Sequence, residues 1–241
     1  MILLYRIALL VLFNICAVLS VWSSPKIVQT SVVRFPVNGD VVVQAREEVG
    51  KFPLMVFISK KTGRILYQNS IEDKDNWLLW QKNDALSHPD LRFGIINSSG
   101  FKTPMIMSVG IMHGGSDDAF FLTLFGEIKG KISRLNAKPM FANIQGGYYL
   151  GQLNKKYGYG LAVWNFVWGN GPDESHYSAH HYEIELYSLR GDRLVRILHK
   201  VTKKIYHTDK NADSLHELGI YAKDQRKQIP YIKDFVEGYV D

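Results

Sequence analysis

Apolar and polar residues alternate with a period of two through most of the chain. The clearest stretches are residues 40–46, 91–97, 104–112, 119–128, 160–168 and 181–189. These stretches are rich in Val, Ile, Phe, Tyr and Trp, which fit a pleated surface, and turn residues such as Asn38-Gly39 and Thr62-Gly63 separate them. The pattern predicts an all-β protein built from antiparallel strands.

Three segments along the chain are similar hairpins: residues 56–65, 124–132 and 186–194. Each consists of an apolar strand, a turn with glycine and a second strand. The turn glycines are 130 − 63 = 67 and 191 − 130 = 61 residues apart, which fits an antiparallel meander of four-stranded units. Because three units are fewer than the ~4 to 8 blades of a closed propeller, both a propeller-like and a sandwich closure stay open.

The stretch from Gly146 to Trp164 resembles a degenerate FG-GAP blade of the integrin-type propellers. A glycine entry and a short polar loop lead into a Leu-Ala-Val strand at residues 161–163, as in those blades. The resemblance implies a propeller-like fold over this part of the chain. Such blades usually carry a calcium loop of alternating Asp and Asn, whereas here Asn154 stands beside two lysines. Hard cations need several oxygen ligands, so the resemblance does not imply calcium binding.

The first 23 residues are typical of a signal peptide. Arg6 precedes an apolar run over residues 7–21, and the small residues Val21 and Ser23 favour cleavage after Ser23. The alternative is an uncleaved membrane anchor, since the apolar stretch is close to the ~20 residues that span a bilayer. Cleavage predicts an exported protein, periplasmic or secreted.

Cysteine content and charge narrow the class of protein further. Cys16 is the only cysteine and lies in the predicted signal peptide, so the exported chain would be held by its core without disulfides. The chain has 29 basic and 23 acidic side chains, a net charge of +6 that is spread along the sequence. This mild excess predicts no nucleic-acid partner. A membrane partner is expected only if the N-terminal segment stays uncleaved.

The pattern changes near the C-terminus. We predict a β domain over residues 24–208 and a helical or irregular tail, residues 209–241, packed on it. After Pro230, a favourable first helical residue, apolar positions fall on one face of a short helix. These positions are Tyr231, Ile232, Phe235, Val236, Tyr239 and Val240.

A polar cluster occupies residues 173–183, after a glycine-rich turn at residues 169–172. Imidazole and carboxylate groups bind transition metals, and the four candidate ligands are His176, His180, His181 and Glu183. A strand would place His181 and Glu183 on one face and His180 on the other, which favours a polar loop that leads into a half-exposed strand. The sequence has no Walker A loop, dinucleotide fingerprint or H-E-x-x-H motif, and therefore predicts no cofactor.

Aromatic side chains provide a second candidate feature. Trp164, Phe166 and Trp168 alternate along one predicted strand and so share a sheet face. Such a stripe either packs in a core or forms a platform for a sugar or a protein ligand. The candidate platform residues are Tyr149, Trp164, Trp168 and Tyr177.

Two functions stay open on the sequence alone. We predict an exported, non-catalytic β scaffold that binds a protein or glycan ligand, because aromatic-rich strands and loops are plentiful while recognisable catalytic motifs are missing. The alternative is a secreted metal-dependent hydrolase that uses the cluster from His176 to Glu183.

Overall fold

The computed structural model of the protein describes residues 25–47, 53–68, 90–97, 103–113, 118–137, 140–142, 145–169, 171–190 and 193–222. Thirteen strands and one 3₁₀ helix lie in these ranges. The strands are β1 (Lys26–Phe35), β2 (Gly39–Glu47), β3 (Leu54–Ser59), β4 (Ile65–Gln68), β5 (Asp90–Ile96), β6 (Met105–His113), β7 (Asp118–Ile128), β8 (Lys131–Arg134), β9 (Met140–Ala142), β10 (Gly147–Asn154), β11 (Gly158–Val167), β12 (His181–Arg190) and β13 (Arg193–Val201). The helix is η1 (Thr208–Leu218).

The strands form three antiparallel sheets that follow chain order. Sheet 1 has the order β1-β2-β3-β4, sheet 2 the order β5-β6-β7-β8, and sheet 3 the order β10-β11-β12-β13. The short strand β9 also pairs with β7, beside Phe120 to Leu122, and shares that edge with β8. The predicted meander of four-stranded antiparallel units, with a short C-terminal helical segment, is confirmed.

The three similar hairpins of the sequence have equivalent places in the three sheets. They are β3–β4, β7–β8 and β12–β13, the last hairpin of each meander. The Gly146–Trp164 stretch contains β10 and most of β11, and its polar loop is a tight turn. Asn154 Oδ1 accepts hydrogen bonds from the backbone N–H groups of Lys156 and Tyr157, both at 2.9 Å. This amide oxygen therefore closes the turn.

Sheet 2 lies between the other two sheets, and both of its faces are buried. On β6, Ile106 packs in the core shared with sheet 1, whereas Met105 and Met107 pack in the core shared with sheet 3. Successive side chains of a strand point to opposite faces, so a strand in the middle of the stack needs apolar residues at both. This explains the nearly continuous apolar sequence of β6.

The outer face of sheet 3 carries a third core, which η1 covers. Leu215 of η1 is fully buried among residues of β11 and β12, including Trp164 and Tyr182. The helix ends at Gly219, whose φ of 67° is the left-handed conformation common at helix C-termini. The predicted helix after Pro230 and the predicted signal peptide lie outside the described residues. No helix in the described ranges is long and apolar enough to cross a membrane.

Candidate ligand-binding site

The four predicted platform residues divide into two buried and two exposed rings. Tyr149 and Trp164 lie in the core between sheet 3 and η1. Trp164 also donates a hydrogen bond from Nε1 to Asn211 Oδ1 at 3.1 Å. In contrast, Trp168 is 50% exposed and Tyr177 is 70% exposed. The stripe on β11 is therefore core at one end and surface at the other, and the accessible rings are those of Trp168 and Tyr177.

Trp168 lies just after β11, where the chain leaves sheet 3 for the loop that returns at His180. Its ring makes edge contacts with Phe166 (centroids 5.1 Å apart), His176 (5.0 Å) and His180 (5.6 Å). Edge-to-face contacts of this kind add to the energy of simple burial. The indole is thus fixed in position, although half of it faces solvent.

A buried histidine–glutamate pair holds this loop in place. The side chains of His180 and Glu174 are 0% and 4% exposed, and His180 Nδ1 lies 2.7 Å from Glu174 Oε1. His180 Nε2 lies 2.9 Å from the carbonyl oxygen of Ser175. Both ring nitrogens therefore have an oxygen partner, and the side chain is held from two sides.

The same carboxylate also fixes the start of the loop. The backbone N–H of Gly169 donates to Glu174 Oε2 at 2.7 Å. Glu174 thus joins the residue that follows Trp168 to the strand that begins after His180. The φ of Gly169 is 146°, a conformation that a residue with a side chain rarely adopts.

Two buried polar atoms of this region have no hydrogen-bond partner. They are Nδ1 of His176, whose ring contacts that of Trp168, and the hydroxyl of Tyr182, a residue of β12 that pairs with Phe166 of β11. Burial raises the pKa of Tyr182 to about 12, so this hydroxyl stays protonated at neutral pH. The exposed ring of Trp168 therefore lies against a histidine that has a hydrogen-bonding atom without a partner.

The four predicted metal ligands do not converge. His180 faces the loop and the outer core, whereas Nδ1 of His181 contacts the carbonyl oxygen of Thr202 at 2.9 Å. Glu183 pairs with His199 of β13. As the alternation of a strand requires, His180 lies on the opposite face of sheet 3 from His181 and Glu183, so the metal cluster proposed from sequence is split between two faces.

A different trio of possible metal ligands lies close together on that second face. The potential ligand atoms of Glu183, Glu185 and His199 are all within 4.8 Å of one another. The trio is already paired: His199 contacts Glu183, while Arg196 and the Tyr187 hydroxyl donate to Glu185. Burial and the Glu185 carboxylate together raise the pKa of Tyr187 well above its usual value. Both carboxylates of the trio therefore already have side-chain partners within the protein.

Sequence reasoning did not identify Glu174 or His199 as site residues. Glu174 stood in the polar cluster but without a defined role, because its partner His180 is six residues away along an irregular loop. His199 lies 16 residues after Glu183 and meets it only through the register of β12 and β13. Comparisons of the chain with protein-family models, with curated proteins and with solved structures found no match.

Proposed function

We propose that this protein is an exported, non-catalytic scaffold that binds a glycan through Trp168 and Tyr177. The observation that supports the proposal best is the fixed, half-exposed indole of Trp168. A flat aromatic face is a suitable surface for the apolar side of a sugar ring, and nearby polar groups give orientation.

The loop supplies such polar groups next to the exposed rings. The hydroxyls of Ser175 and Ser178 lie 3.2 Å apart on the same loop as Tyr177. Rigid aromatic residues bind with a small loss of conformational entropy, and the Glu174–His180 pair restricts the loop before any ligand arrives. A preformed platform of this kind fits binding without a chemical step.

The test is glycan binding by single variants. We expect Trp168→Ala and Tyr177→Ala each to weaken binding of the best ligand from a glycan array at least about tenfold, since contacts of aromatic anchors are often worth 2 kcal/mol or more. Tyr221→Ala is the matched control, because Tyr221 is also an exposed tyrosine but lies after η1. Calorimetry on the purified variants measures the affinities.

Thermal melts separate binding from folding. Tyr177 is so exposed that its removal should leave the melting temperature within about 2 °C of the parent protein, because exposed substitutions rarely change stability by more than ~0.5 kcal/mol. If Tyr177→Ala and Trp168→Ala both bind as tightly as the parent, the platform is not the binding site. If the parent binds a protein and no glycan, and both variants weaken that binding, Trp168 and Tyr177 form the binding surface but the ligand is a protein.

A further inference from the structure

The β1–β2 turn carries an exposed valine whose backbone is fixed by hydrogen bonds to sheet 2. Val37 is 73% exposed. Its backbone N–H donates to Glu127 Oε2 at 2.9 Å, and the N–H of Asn38 donates to Oε1 of the same carboxylate at 2.8 Å. Asn38 Nδ2 also donates to the carbonyl oxygen of Gly130 at 3.0 Å. These bonds attach the β1–β2 turn of sheet 1 to the β7–β8 hairpin of sheet 2.

A lone exposed valine is ordinary, but the surroundings of Val37 are unusual. Exposed cations stand on the neighbouring strands and turns. We call the surface around Val37 that carries them the basic end; its cations are Arg34, Lys60, Lys61, Lys129 and Lys131. Lys60 and Lys61 begin the β3–β4 turn, and Lys129 and Lys131 flank the glycine against which Val37 packs.

The acidic groups nearby neutralise only part of this charge. Asp40 pairs with Lys60 at 3.7 Å, and the Glu127 carboxylate accepts the hydrogen bonds of the β1–β2 turn. Five cations thus face two carboxylates in this part of the described structure. Three of the cations, Arg34, Lys60 and Lys61, also line an open depression of about 360 Å³ together with Asn38, Gly39 and Asp40.

We propose that the basic end docks on an anionic bilayer surface, with Val37 in the headgroup region and the cations on lipid phosphates. Clustered Lys and Arg side chains are attracted to anionic lipids, at about 1 kcal/mol for each cation near the surface. An apolar residue inserted among the headgroups adds buried apolar area to this attraction. An acidic polysaccharide would use the cations but would leave the rigid valine tip without a role.

The basic end and the loop of Trp168 lie near opposite ends of strand β7. Asn165, near the end of β11 that leads to Trp168, donates from Nδ2 to the carbonyl oxygen of Phe141 at 3.0 Å. Phe141 pairs with Phe121 of β7, and Glu127 lies six residues further along that strand. Six residues of a strand extend roughly 20 Å. Docking through the basic end would therefore leave the loop of Trp168 pointing away from the bilayer.

The experiment is co-sedimentation with vesicles, using the chain as recovered from the exported fraction. Vesicles of phosphatidylcholine with and without about a third of phosphatidylglycerol are compared at one salt concentration, because surface charge is screened by salt. We expect the variant Lys60→Gln/Lys61→Gln/Lys129→Gln/Lys131→Gln to lose roughly 600-fold in partitioning to the anionic vesicles, as roughly fivefold for each of the four cations implies.

A charge-matched control removes four exposed lysines elsewhere: Lys26, Lys203, Lys204 and Lys210. This control should retain most of the binding, and its retention would assign the effect to the basic end. If both quadruple variants lose binding equally, only net charge matters and the proposal fails. Equal partitioning of the parent to neutral and anionic vesicles, or binding to heparin without binding to vesicles, would also overturn it.

A site-specific probe tests whether Val37 enters the headgroup region. With Cys16 replaced by Ser, Val37→Cys and the control Ile205→Cys each carry one cysteine for an environment-sensitive NBD label. Ile205 is exposed and lies next to Tyr206, which forms a bridge with His180 near the Trp168 loop. We expect a blue shift on anionic vesicles at position 37 and none at 205; the reverse, or no shift at 37, would contradict insertion.

Discussion

Two histidine–glutamate pairs flank the same strand, β12, in opposite environments. In the first, His180 and Glu174 are almost completely buried beneath the Trp168 loop. In the second, His199 and Glu183 are 46% and 41% exposed on the other face of sheet 3. The two pairs contain the same chemical groups, but only the second pair is in contact with solvent.

Exposure to solvent determines how much each pair contributes to the free energy of unfolding. Removing one member of a buried hydrogen-bonded pair leaves polar groups without partners in a low-dielectric site, which is strongly destabilising. In an exposed pair, water and salt screen most of the Coulomb attraction, and the entropy cost of ordering two side chains offsets much of the rest. The buried pair therefore organises structure, whereas the exposed pair remains accessible to ions and ligands. Substitutions of three glutamates, the two of these pairs and a third on η1, test how the surroundings of a carboxylate set its contribution; they are ordered by the size of the expected effect.

The largest effect is expected for Glu174→Ala. It leaves His180 Nδ1 and the Gly169 N–H without their acceptor, and we expect a loss of about 3 kcal/mol in the free energy of unfolding, as for other broken buried pairs. Urea denaturation at neutral pH measures it. Glu174→Gln is the control: its amide can accept from the Gly169 N–H and donate to Nδ1 of His180, so it should lose less than half as much. Equal losses for Ala and Gln would contradict the assigned hydrogen bonds.

A smaller effect is expected at Glu217 of η1, which anchors the helix to the segment after β13. Burial opposes ionisation of this carboxyl, but hydrogen bonds from the N–H groups of Lys203 and Lys204, from the Tyr206 hydroxyl and from Lys200 outweigh it and lower its pKa. A lowered pKa in the folded state stabilises the protein fully above the usual glutamate pKa, and this contribution disappears as the pH falls through the folded-state pKa.

Glu217→Gln should therefore cost about 1 kcal/mol at pH 7, the usual contribution of such hydrogen bonds. The difference between variant and parent should shrink as the pH is lowered from 5 to 3. Urea unfolding at several pH values tests both statements. Asp213→Asn, an exposed carboxyl on the same helix near His216, is the control and should show neither effect. If the difference in the free energy of unfolding between variant and parent grows towards acid pH, the pKa of Glu217 is not lowered in the folded protein.

The smallest effect is expected for Glu183→Ala, the counterpart of the first substitution. Since its partner His199 stays hydrated, the loss should be within about 0.5 kcal/mol. The same denaturation assay measures it, and addition of 0.5 M NaCl to the parent protein should remove much of the difference. A loss comparable to that of Glu174→Ala would mean that exposure is not what separates the two pairs.

Much of the fold followed from local signals in the sequence. Alternation predicted strands where β2, β5, β6, β7, β11 and β12 lie, since a side-chain period of two is a property of each strand by itself. The spacing of the three similar hairpins predicted the four-stranded units, because a hairpin is also recognised from residues that are close together in the chain. The stacking order, with sheet 2 in the middle, depends on contacts between distant strands, which periodicity does not encode.

The candidate site was predicted only in part, and burial explains why. The alternation of Trp164, Phe166 and Trp168 showed that they share a face, but not that η1 and the Trp168 loop cover part of it. The role of Glu174 depends on the path of an irregular loop, which hydrogen bonds to Gly169 and His180 determine. Neither the helix packing nor the loop path has a sequence period, so the structure was needed to find them.

The middle position of sheet 2 also has a kinetic consequence. Its two faces acquire their cover from segments on both sides of it in the chain, β1 to β4 before it and β10 to β13 after it. A chain that has not yet completed sheet 3 exposes one apolar face of sheet 2, including Met107 and Leu122. Such a face favours aggregation while folding is incomplete. The central sheet is thus the part of the molecule that most needs rapid completion of the chain, and its backbone amides are those that should exchange with solvent last.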